Sequence, residues 1–293
     1  MAAVGPTSSA PVLEDRYAMV DGLRLRYFEA GSGLPVLLLH GASLGSSADV
    51  FLRNVPPLAA AGVRPIAFDQ PGFGLSDVPA DHSTAFRRDA IPKLMRALGL
   101  TQVAVVAHSQ AGAMAVELAL ADPGLFSHMV ILSTGSLLPP PADGAAAKKA
   151  AAQTPLEWQA NPADPTIEDT RKLLEQNLFH HELITGDELA LRHSRSIGRN
   201  HQAFLARQLR DAQPAEKGTG KPLWQRLPDL AMPLLMIYGR EDRARAADRA
   251  ELLKKTYPQL DLHIVDGCKH LSPWDAAADF IRLAAPFLKR QEP

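Results

Sequence analysis

The sequence predicts an α/β protein built on a mostly parallel, doubly wound sheet, with a helical segment inserted between two of its strands. Three observations carry that prediction. Short runs that are apolar at every position recur along the chain, helix-like stretches separate them, and the alternation stops once, between residues 137 and 227. A strand that is apolar on both faces must be buried on both, which requires helices on either side of the sheet.

The elements follow in chain order. Residues 1–14 are rich in Ala, Pro and Ser and lack both a basic start and an apolar run, so they read as a flexible tail rather than a leader. Residues 17–20 and 23–28 flank Asp21-Gly22, a two-residue hairpin signal. Residues 36–39, 65–68, 103–107, 129–132, 234–238 and 262–265 are the candidate buried strands. Residues 86–98, 110–121 and 248–256 are helix candidates between them. After Pro139-Pro140-Pro141 come an Ala/Lys-rich piece, amphipathic stretches at 167–179 and 187–205, and a Gly/Pro/Lys loop at 217–222. The predicted division is therefore a tail at 1–14, a core of 15–136 and 228–293, and a helical cap of 137–227.

Composition narrows the function. The chain has 293 residues, Lys+Arg 31 against Asp+Glu 32, and a formal net charge of -1. That balance supplies no electrostatic footprint for nucleic acid or an anionic membrane. The single Cys268 cannot form a disulfide framework or a Cys-based metal site. No apolar run reaches the roughly 18 residues that span a bilayer. A cytoplasmic enzyme with a small-molecule substrate, no cofactor and no metal is expected, with a homo-oligomer left open.

A nucleophile is legible by its context. The literal pattern G-x-S-x-G occurs at Gly41-Ala42-Ser43-Leu44-Gly45, but loop residues follow it. The relaxed version Ala107-His108-Ser109-Gln110-Ala111 lies between an apolar strand and a run of helix formers. A nucleophile elbow needs a strand, a sharp turn and an immediate helix, with small residues where the two backbones approach. Ser109 is accordingly the candidate nucleophile, although a helix N-cap serine would look similar taken alone.

A serine hydroxyl needs an imidazole to accept its proton and a carboxylate to orient that imidazole. In a strand–turn–helix context the expected chain order is Ser, then Asp or Glu, then His. Two later strands run into Gly239-Arg240-Glu241-Asp242 and Asp266-Gly267-Cys268-Lys269-His270. His270 is the candidate base, and Asp242 is preferred over Glu241 because it lies further past the strand. Ser272, Pro273 and Asp275 read as the cap, first position and capping box of a following helix. The oxyanion donors are expected to be the backbone amides of Ala42 and Gln110. His40 and the turn Asp69-Gln70-Pro71-Gly72-Phe73-Gly74 read as structural. His180, His181, His193 and His201 do not have a metal-ligand spacing. Trp158, Trp224 and Trp274 read as packing residues, with Trp274 the best placed to line a pocket.

Together, His40-Gly41, Asp69-x-Pro71-Gly72-Phe73-Gly74-x-Ser76-Asp77, His108-Ser109-Gln110-Ala111-Gly112, Gly239-Arg240-Glu241-Asp242 and His270 resemble the α/β-hydrolase superfamily over nearly the whole chain after Tyr17. Within it, Phe51-Leu52-Arg53-Asn54-Val55-Pro56-Pro57, Leu183-Ile184-Thr185-Gly186-Asp187-Glu188-Leu189 and Cys268-Lys269-His270 with Trp274 are similar to the meta-cleavage-product hydrolases. That resemblance implies hydrolysis of a carbon–carbon bond in 2-hydroxy-6-oxo-dienoates from aromatic-ring degradation. Against the family pattern, the oxyanion loop is less glycine-rich, His108 replaces an Asn, and Leu271 replaces a Trp. The substrate-contacting cap arginine falls on His193, with Arg192 and Arg195 nearby. Ser43, His193 and Trp274 are thus the candidate substrate contacts. A carboxylesterase or lactonase on the same triad is the alternative, and a non-hydrolytic ligand-binding protein on the same fold is a second.

Overall fold

In the computed structural model, residues 13–141, 163–211 and 220–290 are described. The Ala/Lys-rich piece with Trp158, most of the predicted tail and half of the 217–222 loop lie outside them. Eight strands form one sheet: β1 (Arg16–Val20), β2 (Leu23–Glu29), β3 (Leu34–Leu39), β4 (Val63–Phe68), β5 (Val103–His108), β6 (Phe126–Leu132), β7 (Leu234–Gly239) and β8 (Asp261–Val265). Their order is β1-β2-β4-β3-β5-β6-β7-β8. The β1–β2 and β2–β4 pairs are antiparallel, and every pair from β4 through β3 to β8 is parallel. At Asp21-Gly22 both residues have positive φ, 49° and 81°, the geometry a two-residue hairpin with right-handed twist requires.

The all-apolar strands are explained by two cores, one on each face. Because side chains alternate across a strand, Leu37, Leu39, Val105 and Met236 enter one core while Val36, Leu38, Val106 and Ile237 enter the other. Helices α2 (Thr84–Ala97), α3 (Gln110–Ala121) and α7 (Ala246–Thr256) cover the first face with Leu94, Ala115 and Ala250. Helices α1 (Val55–Ala60) and α9 (Ala277–Leu288) cover the second with Leu58 and Phe280.

Between β6 and β7 the described residues are helical: α4 (Ile167–Asn177), α5 (Gly186–Ser194) and α6 (Arg199–Asp211), with short 3-10 turns at His181–Leu183 and Leu223–Asp229. The start of α4 is set by a capping box, in which Thr166 accepts from the Asp169 N–H and Asp169 accepts from the Thr166 N–H. The stretch read as one amphipathic run at 187–205 is two helices. It breaks around Gly198, whose φ is 60° and whose N–H is held by Asp164 from a distant part of the chain. The predicted cap at Ser272 also differs. The short helix α8 (Ser272–Asp275) begins with Leu271 as its N-cap, and the Ser272 hydroxyl instead accepts from Ser133. Asp275 accepts from the N–H groups of Lys269, Phe179 and His180, tying the loop before α8 to the inserted segment.

Candidate active site

The chain leaves β3 toward one edge of the sheet and later crosses to β5 on the other side. Ligands bind at the carboxyl ends of the strands where the order reverses in this way. Ser109 stands there, at the end of the wholly buried strand β5. Its φ of 57° and ψ of -128° are strained for a residue with a side chain. Hydrogen bonds hold it in that conformation: its N–H donates to Leu132 O (2.9 Å), and its carbonyl accepts from the Gly112 N–H (3.0 Å) and Thr134 Oγ1 (2.7 Å). The close approach falls at Gly112, where a Cβ would lie 2.1 Å from Thr134 Oγ1.

Asp242 and His270 reach Ser109 from the loops after β7 and β8. Those loops are locked together: Glu241 N–H donates to Cys268 O (3.1 Å), and Glu241 Oε2 accepts from the Cys268 N–H (2.9 Å). Glu241 is thereby turned away from His270, and Asp242 is turned toward it. Ser109 Oγ lies 2.9 Å from His270 Nε2, and His270 Nδ1 lies 3.1 Å from both Asp242 oxygens. Burial acts to raise the Asp242 pKa, but His270 and Arg243 outweigh it and hold the carboxyl below its usual range. The carboxylate that results favours the tautomer with the proton on Nδ1, leaving Nε2 as acceptor for the serine proton.

His108 supports this arrangement from behind. Its Nε2 is 2.8 Å from the carbonyl oxygen of His270, so Nε2–H donates and fixes the backbone of the histidine loop. Burial lowers the His108 pKa to about 3, so the ring is neutral. His40 is buried and lowered to about 3 for the same reason. It is bonded to Gly41 O at 2.6 Å through Nδ1 and accepts the Gln70 N–H at Nε2 (3.0 Å). It tethers the loop that carries Ala42. Asp69 accepts from the N–H groups of Ala48 and Leu75, which fixes the Gly-rich turn beside it.

Ala42 and Gln110 both line the cavity at Ser109, and neither backbone N–H donates to another described residue. The Gln110 side chain accepts from Arg87 (2.7 Å). Ser43 also lines the cavity and accepts from the Arg192 guanidinium at 2.9 Å.

Two predicted contacts lie elsewhere. His193 Nδ1 is bonded to Thr170 Oγ1 (3.0 Å), turning the ring toward α4. One residue back on the helix, Arg192 takes the cavity wall, because neighbours on a helix point about 100° apart. Trp274 is packed in the core, with Nε1–H donating to Val50 O (3.1 Å) and the Arg53 guanidinium over its ring. An indole buried with its N–H satisfied is a packing residue, and Leu271 lines the cavity instead. The reading from the sequence missed Arg87, Asn177, Arg207 and Arg243, which also line the cavities around Ser109. Only Arg243, next to Asp242, carried any signal of its place. The four histidines of the inserted segment are held apart by different partners: His180 by Glu182, His181 by Glu175 O, His193 by Thr170 and His201 by Asp164.

Comparison with known proteins gives the family of the chain. A family model described as "alpha/beta hydrolase fold" matches residues 35–277. The chain belongs to the alpha/beta hydrolase family. Among α/β-hydrolases it is 30% identical to a 2-hydroxy-6-oxononadienedioate/2-hydroxy-6-oxononatrienedioate hydrolase of Dechloromonas aromatica, over 91% of each chain. It is also 30% identical to a 2-hydroxy-6-oxo-6-phenylhexa-2,4-dienoate hydrolase of Comamonas testosteroni, covering 91% of this chain and 92% of that one. Of solved α/β-hydrolase structures, a meta-cleavage product hydrolase from Pseudomonas fluorescens superposes with a TM-score of 0.74 at 25% identity, over 93% of this chain and 96% of that one. No helix among the described residues of this α/β-hydrolase is long and apolar enough to cross a membrane.

Proposed function

We propose that the protein is a serine hydrolase that cleaves a carbon–carbon bond in a 2-hydroxy-6-oxo-dienoate. The observation that carries this reading is the hydrogen-bonded series Ser109–His270–Asp242 beside a pocket walled by Arg192 and Ser43. It is supported by the similarity, over 91% of the chain, to hydrolases of such compounds. A guanidinium in the wall of that pocket suits the carboxylate and hydroxyl of the dienol.

The chemistry follows from the groups in place. A carbon leaving group needs an electron sink, so the 2-hydroxyl proton must first move to C5 to give a 2-oxo-3-ene. Ser109, deprotonated by His270, or a water activated in its place, then adds to the C6 carbonyl. The Ala42 and Gln110 N–H groups stabilise the oxyanion. Collapse breaks the C5–C6 bond, the electron pair passes into the 2-oxo-3-ene, and the resulting dienolate takes a proton from His270 to give the dienol. Where Ser109 is the nucleophile, water then hydrolyses the acyl-enzyme to the free acid and restores the serine proton. The described helices of the inserted segment, α4, α5 and α6, act as the cap over this cavity.

The relatives differ in the group beyond the scissile carbonyl, one kind of substrate ending in a carboxylate and the other in a phenyl ring. Their identities to this chain are equal, so similarity alone does not choose between them. The test of the reaction is spectrophotometric. A coloured 2-hydroxy-6-oxo-dienoate is expected to lose absorbance with a kcat/KM far above that for p-nitrophenyl acetate. Fast ester turnover with a stable dienoate assigns the same triad to a carboxylesterase or lactonase. A fluorophosphonate is expected to label the wild type and not Ser109→Ala; no labelling of either would point to a ligand-binding protein.

A further inference from the structure

The loop Gly41-Ala42-Ser43-Leu44-Gly45 is not a nucleophile elbow, yet three consecutive residues in it are gripped by three different helices of the inserted segment. Ser43 Oγ accepts from Arg192 of α5 (2.9 Å). Leu44 is buried with Leu173 of α4 and Phe204 of α6 in a small apolar cluster of its own, separate from the two sheet cores. Gly45 lies against the end of α5: a Cβ there would run into Ser196 Oγ and would stand 2.9 Å from the Arg192 carbonyl oxygen. Its φ of 72° is the left-handed conformation that lets the two backbones come this close.

The same loop carries the Ala42 N–H. The core holds it on either side of the gripped residues. Upstream, His40 is bonded to Gly41 O, the carbonyl of the peptide unit to which the Ala42 N–H belongs. Downstream, the Ala48 N–H donates to Asp69 Oδ1 (2.6 Å). One hydrogen bond at its carbonyl end leaves a peptide unit free to turn about that point, so the direction of its N–H needs a second hold. The turn closed by the Ser46 N–H on Ser43 O (3.0 Å) provides one. Ser43 follows Ala42 directly, and Leu44 at the middle of the turn is the side chain that anchors it to the inserted helices.

An oxyanion donor is effective only when it is aimed beforehand at the place where the charge develops. Leu44 is not among the residues that line the cavities at Ser109, whereas Ser43, Leu173 and Phe204 are. Any effect of Leu44 on the reaction therefore passes through the loop and not through contact with substrate.

We infer that Leu44 is a positioning residue through which the inserted helices aim the Ala42 N–H, so that the oxyanion site is complete only while those helices are seated on the loop. The inference rests on the serine-hydrolase part of the reading above and not on the carbon–carbon bond. Lifting the helices to admit substrate relaxes the donor, and their return restores it. The site is thus armed only when it is also closed to bulk water.

The test compares p-nitrophenyl acetate as substrate with phenylboronic acid and benzyl alcohol as inhibitors of the intact protein. In the boronic acid adduct the Ser109 oxygen adds to boron and His270 takes the hydroxyl proton, so the tetrahedral product puts an oxygen where the oxyanion forms. Benzyl alcohol makes no such adduct. Leu44→Ala is expected to lower kcat/KM for the ester and the affinity for phenylboronic acid together, each by roughly 10- to 100-fold, the cost of a misaimed donor. Its affinity for benzyl alcohol is expected to stay unchanged. Leu44→Met refills the cluster and is expected to restore both losses. Ile184→Ala truncates another buried apolar residue of the inserted segment, one that lines none of these cavities, and is expected to keep both values at the wild-type level. An equal loss on benzyl alcohol, the same loss in Ile184→Ala, or full activity in Leu44→Ala would overturn the inference. Should Leu44→Ala not fold, the smaller truncation Leu44→Val takes its place, with a smaller loss in the same two readouts. Ester turnover that responds to Leu44 in this way while a dienoate stays stable would keep the inference and remove the carbon–carbon reading, so the two fail separately.

Discussion

Ser109 combines a positive φ with a side chain, a conformation that costs about 1–3 kcal/mol and is held only by its surroundings. Replacing it with glycine removes the strain and the nucleophile together. Ser109→Gly is expected to raise stability by about 1 kcal/mol in denaturant titration, after the entropy cost of glycine in the unfolded chain. The same variant is expected to lose turnover on the order of 10³-fold or more. The buried histidines give a pH prediction. His40 and His108 are lowered to about 3, whereas the unfolded chain titrates near 6.5. Between those values the unfolded state binds more protons, so stability falls as pH drops below about 6.5. Asp69, which burial raises to about 6, acts oppositely below that pH and offsets one of the two histidines. The net expectation is a loss of about 1.4 kcal/mol per pH unit between roughly pH 6 and 4, measured by urea unfolding at each pH. At this scale the sequence singled out Ser109, Asp242 and His270, which the fold brings within hydrogen-bonding distance, because each directly follows a recognisable strand in a known order. It misplaced His193 and Trp274, because which of two neighbouring helix residues faces the cavity depends on packing. Arg87 and Arg207 carried no signal, since their meeting at Phe73 is purely three-dimensional.

At the level of elements, the inserted helices are joined to the core by ion pairs of unequal weight. Asp49, in the short 3-10 turn Ala48–Phe51, bonds both Arg26 of β2 (2.5 Å) and Arg195 at the end of α5 (2.9 Å), with all three side chains largely buried. Asp49→Asn removes the carboxylate shared by Arg26 and Arg195, of which Arg26 keeps Asp15 and Asp69, and is expected to cost about 3 kcal/mol in denaturant titration. The Arg53–Glu188 pair, at 2.9 Å, is partly open to solvent. Its coupling energy in a double-mutant cycle is expected to stay below about 1 kcal/mol. The strands were legible because burial on both faces leaves no polar position in the run. The break between α5 and α6 was not, since the carboxylate that caps it belongs to Asp164, before α4. The supposed cap of Ser272 failed likewise, because the hydroxyl of Ser133, just past β6, donates to it.

For the whole molecule, a formal net charge of -1 does not describe the cavity at Ser109, which Arg87, Arg207 and Arg243 line. The overall balance excludes long-range attraction of polyanions, yet a small anion near the cavity meets several arginines at once. Raising ionic strength is therefore expected to lower kcat/KM for an anionic dienoate several-fold and leave p-nitrophenyl acetate unchanged, as steady-state kinetics would show. Composition could not reveal this, because counting charges discards their positions. Length, by contrast, was informative once the sheet was traced: the chain is a core with one long excursion. That excursion begins after β6 and ends before β7, which lie side by side with Leu132 opposite Ile237. The two strands are parallel, so the excursion leaves the carboxyl end of one, at Leu132, and returns to the amino end of its neighbour, at Leu234 opposite Met129. A segment moored in this way behaves as an exchangeable part. It can lengthen, shorten or be swapped for a relative's without shifting any strand's register, so new substrate ranges can be acquired by recombination at two fixed junctions while the reacting groups stay where they are.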